Sequence, residues 1–135
     1  LQSGHPSWLV LASAAPLVIF HYAMLLALEF PDFLSDEAAG KRTLLVRVGR
    51  RMGASMHNAL IALGLILTAV ASLAGLPVRV AISVAITAPL ALWQVISMRR
   101  IQRGEPVSFQ LLTFGAVALF GLTAYLMAFS FWVIG

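Results

Sequence analysis

Residues 106–135 read Pro-Val-Ser-Phe-Gln-Leu-Leu-Thr-Phe-Gly-Ala-Val-Ala-Leu-Phe-Gly-Leu-Thr-Ala-Tyr-Leu-Met-Ala-Phe-Ser-Phe-Trp-Val-Ile-Gly, without a single Asp, Glu, Lys or Arg. A helix crosses a bilayer with about 20 mostly apolar residues. A soluble helix of this length keeps a polar stripe at the helical period, and none is present. The stretch therefore predicts a membrane span from about Ser108, which is placed to cap it behind Pro106.

Residues 1–28, 52–78 and 80–98 are equally free of charge. The predicted spans lie at about 8–30, 55–75, 78–98 and 108–133, with loops at about 31–54 and 99–107. Gly40, Gly75 and Gly104 are the expected stops, because glycine tolerates the left-handed conformation that ends helices. The fold class is an all-α integral membrane protein, with residues 1–135 forming a single membrane domain. The first helix is expected to continue past Leu28 into 32–39, bent by Pro31.

Composition excludes other classes. Hydrophobic residues make up 61% and charged residues 10%, against roughly 25% charged in soluble domains. That removes an ordinary soluble domain and a disordered tail. The net charge of +4 does not indicate a nucleic-acid partner, because the charges form no basic face. They fall between Glu29 and Arg51, at Arg79, and between Arg99 and Glu105. The positive-inside rule puts both basic loops in the cytoplasm and both chain ends outside, in the cell or inner membrane. Cysteine is absent, so disulfides and thiolate metal sites are excluded. The opening Leu1-Gln2-Ser3-Gly4, without Met or a basic leader, reads as the continuation of a longer chain with an odd number of earlier spans.

The chemistry is concentrated at 29–51, Glu-Phe-Pro-Asp-Phe-Leu-Ser-Asp-Glu-Ala-Ala-Gly-Lys-Arg-Thr-Leu-Leu-Val-Arg-Val-Gly-Arg-Arg. Asp32 and Asp36 share a helix face. Traced back at about 100° per residue, that face gives one ionisable stripe through Glu29 to His21. Two carboxylates so placed repel unless a cation lies between them. Hard oxygen donors suit Mg²⁺, which is usually held by one or two carboxylates together with substrate phosphates. Lys41, Arg42 and Arg47 follow within reach of phosphate oxygens. The pattern is that of a diphosphate site at a membrane surface. Glu29 and His21 are the candidates for a deeper cavity or an acceptor contact, since acids inside a membrane are functional candidates by default.

Asp-x-x-x-Asp-x-x-x-Gly-Lys-Arg-Thr-Leu-x-Val-Arg-x-Gly, at 32–49, resembles the second aspartate-rich motif of the UbiA-type intramembrane prenyltransferases. The resemblance implies that the four helices are the last four of a nine-helix bundle. It also implies transfer of a polyprenyl group from a prenyl diphosphate to an acceptor, such as an aromatic quinone precursor of the dihydroxynaphthoate kind. Mg²⁺ would be the cofactor, with Asp32 and Asp36 as its ligands. The family's first aspartate motif is absent, and beyond Glu37 the only acid is Glu105. The chain alone is therefore expected to be inactive without the N-terminal helices, supplied in cis or in trans. Two other readings fit the residues. One is a non-catalytic scaffold or lipid-binding subunit, and the other is a transporter segment whose acidic stripe moves protons. Arg50, Arg51, Arg99, Arg100 and Arg103 read as topology signals, and Gln94 as an interhelical hydrogen-bonding group.

Overall fold

A computed structural model of the chain describes residues 8–134, the side chain of Ile134 excepted. Four long helices, α1 (Trp8–Glu29), α4 (Arg50–Leu73), α5 (Val78–Gln102) and α6 (Phe109–Ile134), are joined by two short ones, α2 (Phe33–Ala38) and α3 (Leu44–Val48). There is no strand among the described residues. Each long helix contains a window long and apolar enough to span a membrane. The protein is an all-α integral membrane protein.

The long helices close a ring, α1 on α4, α4 on α5, α5 on α6 and α6 back on α1. Two apolar clusters fill it. One, around Phe20, Ile61, Leu119 and Met127, occupies the middle and the end away from α2 and α3. The other, around Phe30, Leu45, Met98 and Leu112, lies under the charged end. Large apolar side chains such as Leu73, Phe114, Tyr125 and Trp132 point outward. A surface of that kind fits lipid rather than water.

Hydrogen bonds supplement packing between the helices, as expected where lipid weakens the hydrophobic drive between them. Ser83 meets Ser130 at 2.8 Å and Thr123 donates to Thr87 at 2.9 Å. Gln94, fully buried, donates to the Leu112 carbonyl at 2.8 Å. On the α4 side, Asn58 donates to the Val95 carbonyl and Gln102 to Ser55.

The predicted stops are where helices end. In α2, Gly40 takes φ +69. Its N–H bonds the Glu37 carbonyl at 3.1 Å, and the next N–H, of Lys41, bonds that of Asp36 at 2.9 Å. These are the paired bonds of a Schellman end. The same pair closes α4 at Gly75 and α5 at Gly104. At the start of α6, Ser108 Oγ accepts the Leu111 N–H at 3.3 Å.

Two expectations change. The first helix does not run on through residue 31: it ends at Glu29, and residues 30–32 form a turn before α2. Pro31 lacks an N–H and disfavours helix at the residue before it, and Phe30 is completely buried in that turn. In addition, α4 begins at Arg50 rather than near Ser55. Gly49, at φ +81, ends α3 with an N–H bond to the Leu45 carbonyl and starts α4 by accepting from Gly53. Arg50 and Arg51 therefore lie in the first turn of a helix instead of a loop.

Candidate functional site

The turn at 30–32 separates α1 from α2, and α3 packs on α1, α2 and α4 at the charged end of the ring. Two capping groups hold α3. Thr43 Oγ1 accepts the Val46 N–H at 3.3 Å. Glu29, from the last turn of α1, accepts the Leu45 N–H at 2.7 Å through Oε2. A carboxylate at a helix N-terminus meets unsatisfied N–H groups and the positive end of the dipole. Leu45 itself is fully buried, in a place kept open by the absence of a side chain at Gly53. The basic segment 41–47 is thus fixed to the end of the first span.

Asp36 is the one buried residue of α2, 7% exposed. Lys41 Nζ donates to its Oδ1 at 2.7 Å. Local sequence produces this pair. Gly40 turns the chain back, the Lys41 N–H meets the Asp36 carbonyl, and the ammonium folds over the carboxylate. The hydrogen bond and charge of Asp36, with a smaller contribution from Asp32, raise the Lys41 pKa above its usual value. The ammonium therefore remains charged further into alkaline pH.

Asp32 is exposed and precedes α2, but its carboxylate does not cap that helix. Only its carbonyl is engaged, by the Asp36 N–H at 2.8 Å and the Ser35 hydroxyl at 2.9 Å. Arg42 and Arg47 are exposed, and neither forms an ion pair among the described residues. Among the described residues no three His, Asp or Glu side chains gather as a metal-holding group.

The structure brings Asp32, Asp36 and Lys41 together on one turn, with Arg42 and Arg47 on the following segment. It does not bring Glu29 or His21 to them. The continuous stripe expected from His21 to Asp36 is broken where α1 stops, and Glu29 turns to α3 instead. His21 lies two turns deeper, about 12 Å along α1 at 1.5 Å per residue. It packs against the Phe120 ring, centroids 5.1 Å apart, beside a groove of about 390 Å³ that Leu17, Val18 and Tyr22 also line. Its Nδ1 is buried without a hydrogen-bond partner.

Sequence reading missed the capping role of Glu29 and the environment of Arg50, whose guanidinium sits over the rings of Phe33 and Phe109. No spacing rule links residues so far apart in the chain. Loss of the Glu29 carboxylate is expected to loosen the basic segment. A hydrogen bond to a charged group is worth about 1.5–3 kcal/mol, so Glu29→Ala is expected to speed trypsin cleavage after Lys41, Arg42 and Arg47 by about tenfold or more. Glu29→Gln keeps an acceptor and is expected to fall between. Wild-type cleavage rates in Glu29→Ala would show that the carboxylate does not hold the segment.

A family model described as the UbiA prenyltransferase family matches residues 1–115. No curated protein and no solved structure matches the chain.

Proposed function

The chain belongs to the UbiA prenyltransferase family, and we propose that its charged end is the second half of the diphosphate site of such an enzyme. The observation carrying this reading is the buried Asp36 carboxylate holding the Lys41 ammonium at 2.7 Å, with the Asp32 charge acting on the same cation. This is a place that already concentrates positive charge on oxygen donors. It suits Mg²⁺, which takes one or two protein carboxylates and completes its shell with water and phosphate oxygens. Members of the family are generally Mg²⁺-dependent. Here Asp32 and Asp36 would hold the ion, which, when bound, withdraws charge from the diphosphate and makes it a better leaving group.

In this reading Lys41, Arg42 and Arg47 bind diphosphate oxygens, the two arginines through planar donor pairs suited to phosphate. They face the charge that grows as the carbon–oxygen bond to the diphosphate breaks. The apolar helices below, together with those outside this chain, would hold the prenyl tail along their surface and keep water from the allylic cation. An electron-rich carbon of the acceptor attacks that cation and then loses its proton. We take the acceptor to be an aromatic quinone precursor such as a dihydroxynaphthoate, and the groove beside His21 and Phe120 as its approach. We place this loop on the cytoplasmic side under the positive-inside rule, from Lys41, Arg42 and Arg47 in the segment and Arg50 and Arg51 at the start of α4. The first aspartate motif comes from helices outside this chain, in cis or in trans, so the 135 residues alone are inactive.

The test is prenyl transfer from a labelled polyprenyl diphosphate to dihydroxynaphthoate by membranes carrying the complete gene product. Transfer that disappears with EDTA and returns with Mg²⁺ is the expected result. Prenyl diphosphate binding and transfer that are both absent would leave a scaffold, and transfer by the isolated 135 residues would overturn the need for further helices.

A further inference from the structure

Arg50 is the first residue of α4, where the helix dipole disfavours a cation. Its surroundings account for it. The guanidinium carbon lies 4.8 Å from the Phe33 ring centroid and 5.7 Å from that of Phe109. Arg50 Nε is buried without a hydrogen-bond partner. Among the described residues the side chain forms no ion pair. A guanidinium between two ring faces is held by their quadrupoles, more firmly as water is excluded.

The rings stand at the starts of two helices of the charged end. Phe33 is the first residue of α2, which carries Asp36, and Phe109 is the first residue of α6. Besides its packing on α3, helix α2 has little else to orient it. It is 6 residues long, far below the length at which a helix holds itself. The Asp36–Lys41 pair is internal to the loop and ties it to nothing outside. The Glu29 cap holds α3, not α2. Phe33 is the side chain of α2 that packs on the apolar cluster of the ring, and Arg50 covers it.

We propose that Arg50 is a positioning residue. By bridging Phe33 and Phe109 it fastens α2 to the mouth of α6 and sets where the Asp32 and Asp36 carboxylates stand for the metal and diphosphate. The assignment rests on the reading of those carboxylates given above. It makes the start of α6, at Phe109, part of the site's support.

The experiment uses the complete gene product in lipid nanodiscs. These 135 residues have no cysteine; with any cysteine elsewhere in the complete gene product changed to serine, Leu34→Cys and Gln110→Cys, both at exposed positions, accept spin labels that report the α2–α6 distance. Arg50→Ala is expected to broaden a narrow distance distribution, as is Phe109→Leu, while Arg51→Ala leaves it narrow. Without labels, Arg50→Ala is expected to raise the Mg²⁺ needed for half-maximal rate by about fivefold or more, the scale of a cation–π clamp. Most of the rate returns at saturating Mg²⁺, and Arg50→Lys lies between. An unchanged distance distribution would overturn the proposal. So would a higher KM for the prenyl diphosphate with unchanged Mg²⁺ dependence, which would make Arg50 a direct anion contact. If the wild-type protein transfers no prenyl group, the functional reading fails by itself, and the label distances still decide the clamp.

Discussion

Prenyl transfer by Asp36→Ala is expected to fall by at least about 10³-fold in kcat/KM, because metal-assisted charge stabilisation supplies several kcal/mol and each 1.36 kcal/mol is a decade. The substitution removes a buried carboxylate and leaves Lys41 without its partner. Lys41 is exposed, its side chain at 63%, so its ammonium passes to water at little cost and the fold survives. Loss of activity with a normal elution profile in detergent is therefore the expected pair of results. Asp36→Asn keeps the shape and removes the charge, and should lose nearly as much. Asp32→Ala should behave in the same way, since its carboxylate has no capping role to lose. Glu37 is the control. It is an exposed neighbour on the same short helix, outside the spacing that pairs Asp32 with Asp36. Equal losses in Asp36→Ala and Glu37→Ala would show that general negative charge, not a metal-holding pair, is what the site needs.

What a sequence makes legible depends on how local the cause is. The four spans follow from charge-free stretches, because a bilayer penalises charge along the whole segment. The helix ends at Gly40, Gly75 and Gly104 follow from single-residue conformational preference, and all three have positive φ. The Asp36–Lys41 pair is also local, five residues apart with a glycine turn between. The errors arise where a distant partner decides. Helical periodicity alone runs through Pro31; the proline breaks the helix locally, while the path of the turn follows Phe30, fully buried beneath the charged end. Helical spacing puts Glu29 on an ionisable stripe, but a backbone N–H sixteen residues later captures it. In the sequence Arg50 is indistinguishable from a topology signal, because Phe33 and Phe109 meet it only after the ring has closed. The site's chemical groups are thus written in one segment, while their supports are spread over α1, α4 and α6.

Helix α5 packs closely on α6, one of those supports, and Gly115→Ala is expected to have a large effect on stability. A Cβ at Gly115 would meet the Trp93 ring and stand 2.7 Å from Gln94 Nε2. Trp93 is partly exposed and has room to swing, but Gln94 is fully buried and bonded to the Leu112 carbonyl. Either the Gln94 amide leaves the Leu112 carbonyl or the two helices move apart, and in lipid close approach at small residues is what holds them. Overpacking of this kind costs about 1–3 kcal/mol, read as a lower midpoint in SDS or thermal unfolding in detergent. Gly121→Ala on the same helix meets nothing within 4 Å and should be near neutral, which separates the contact from any general effect of alanine. The pair also predicts its own rescue. Gln94→Ala alone loses the bond to Leu112, a cost of about 1 kcal/mol, but it also removes Gln94 Oε1, a buried atom without a partner. In the Gly115→Ala background the shortened side chain leaves space for the new methyl. The double variant should therefore be more stable than Gly115→Ala, the reverse of additivity for neighbours that merely lose contacts. A double variant weaker than both singles would show that Gln94 is not the atom group that keeps residue 115 a glycine.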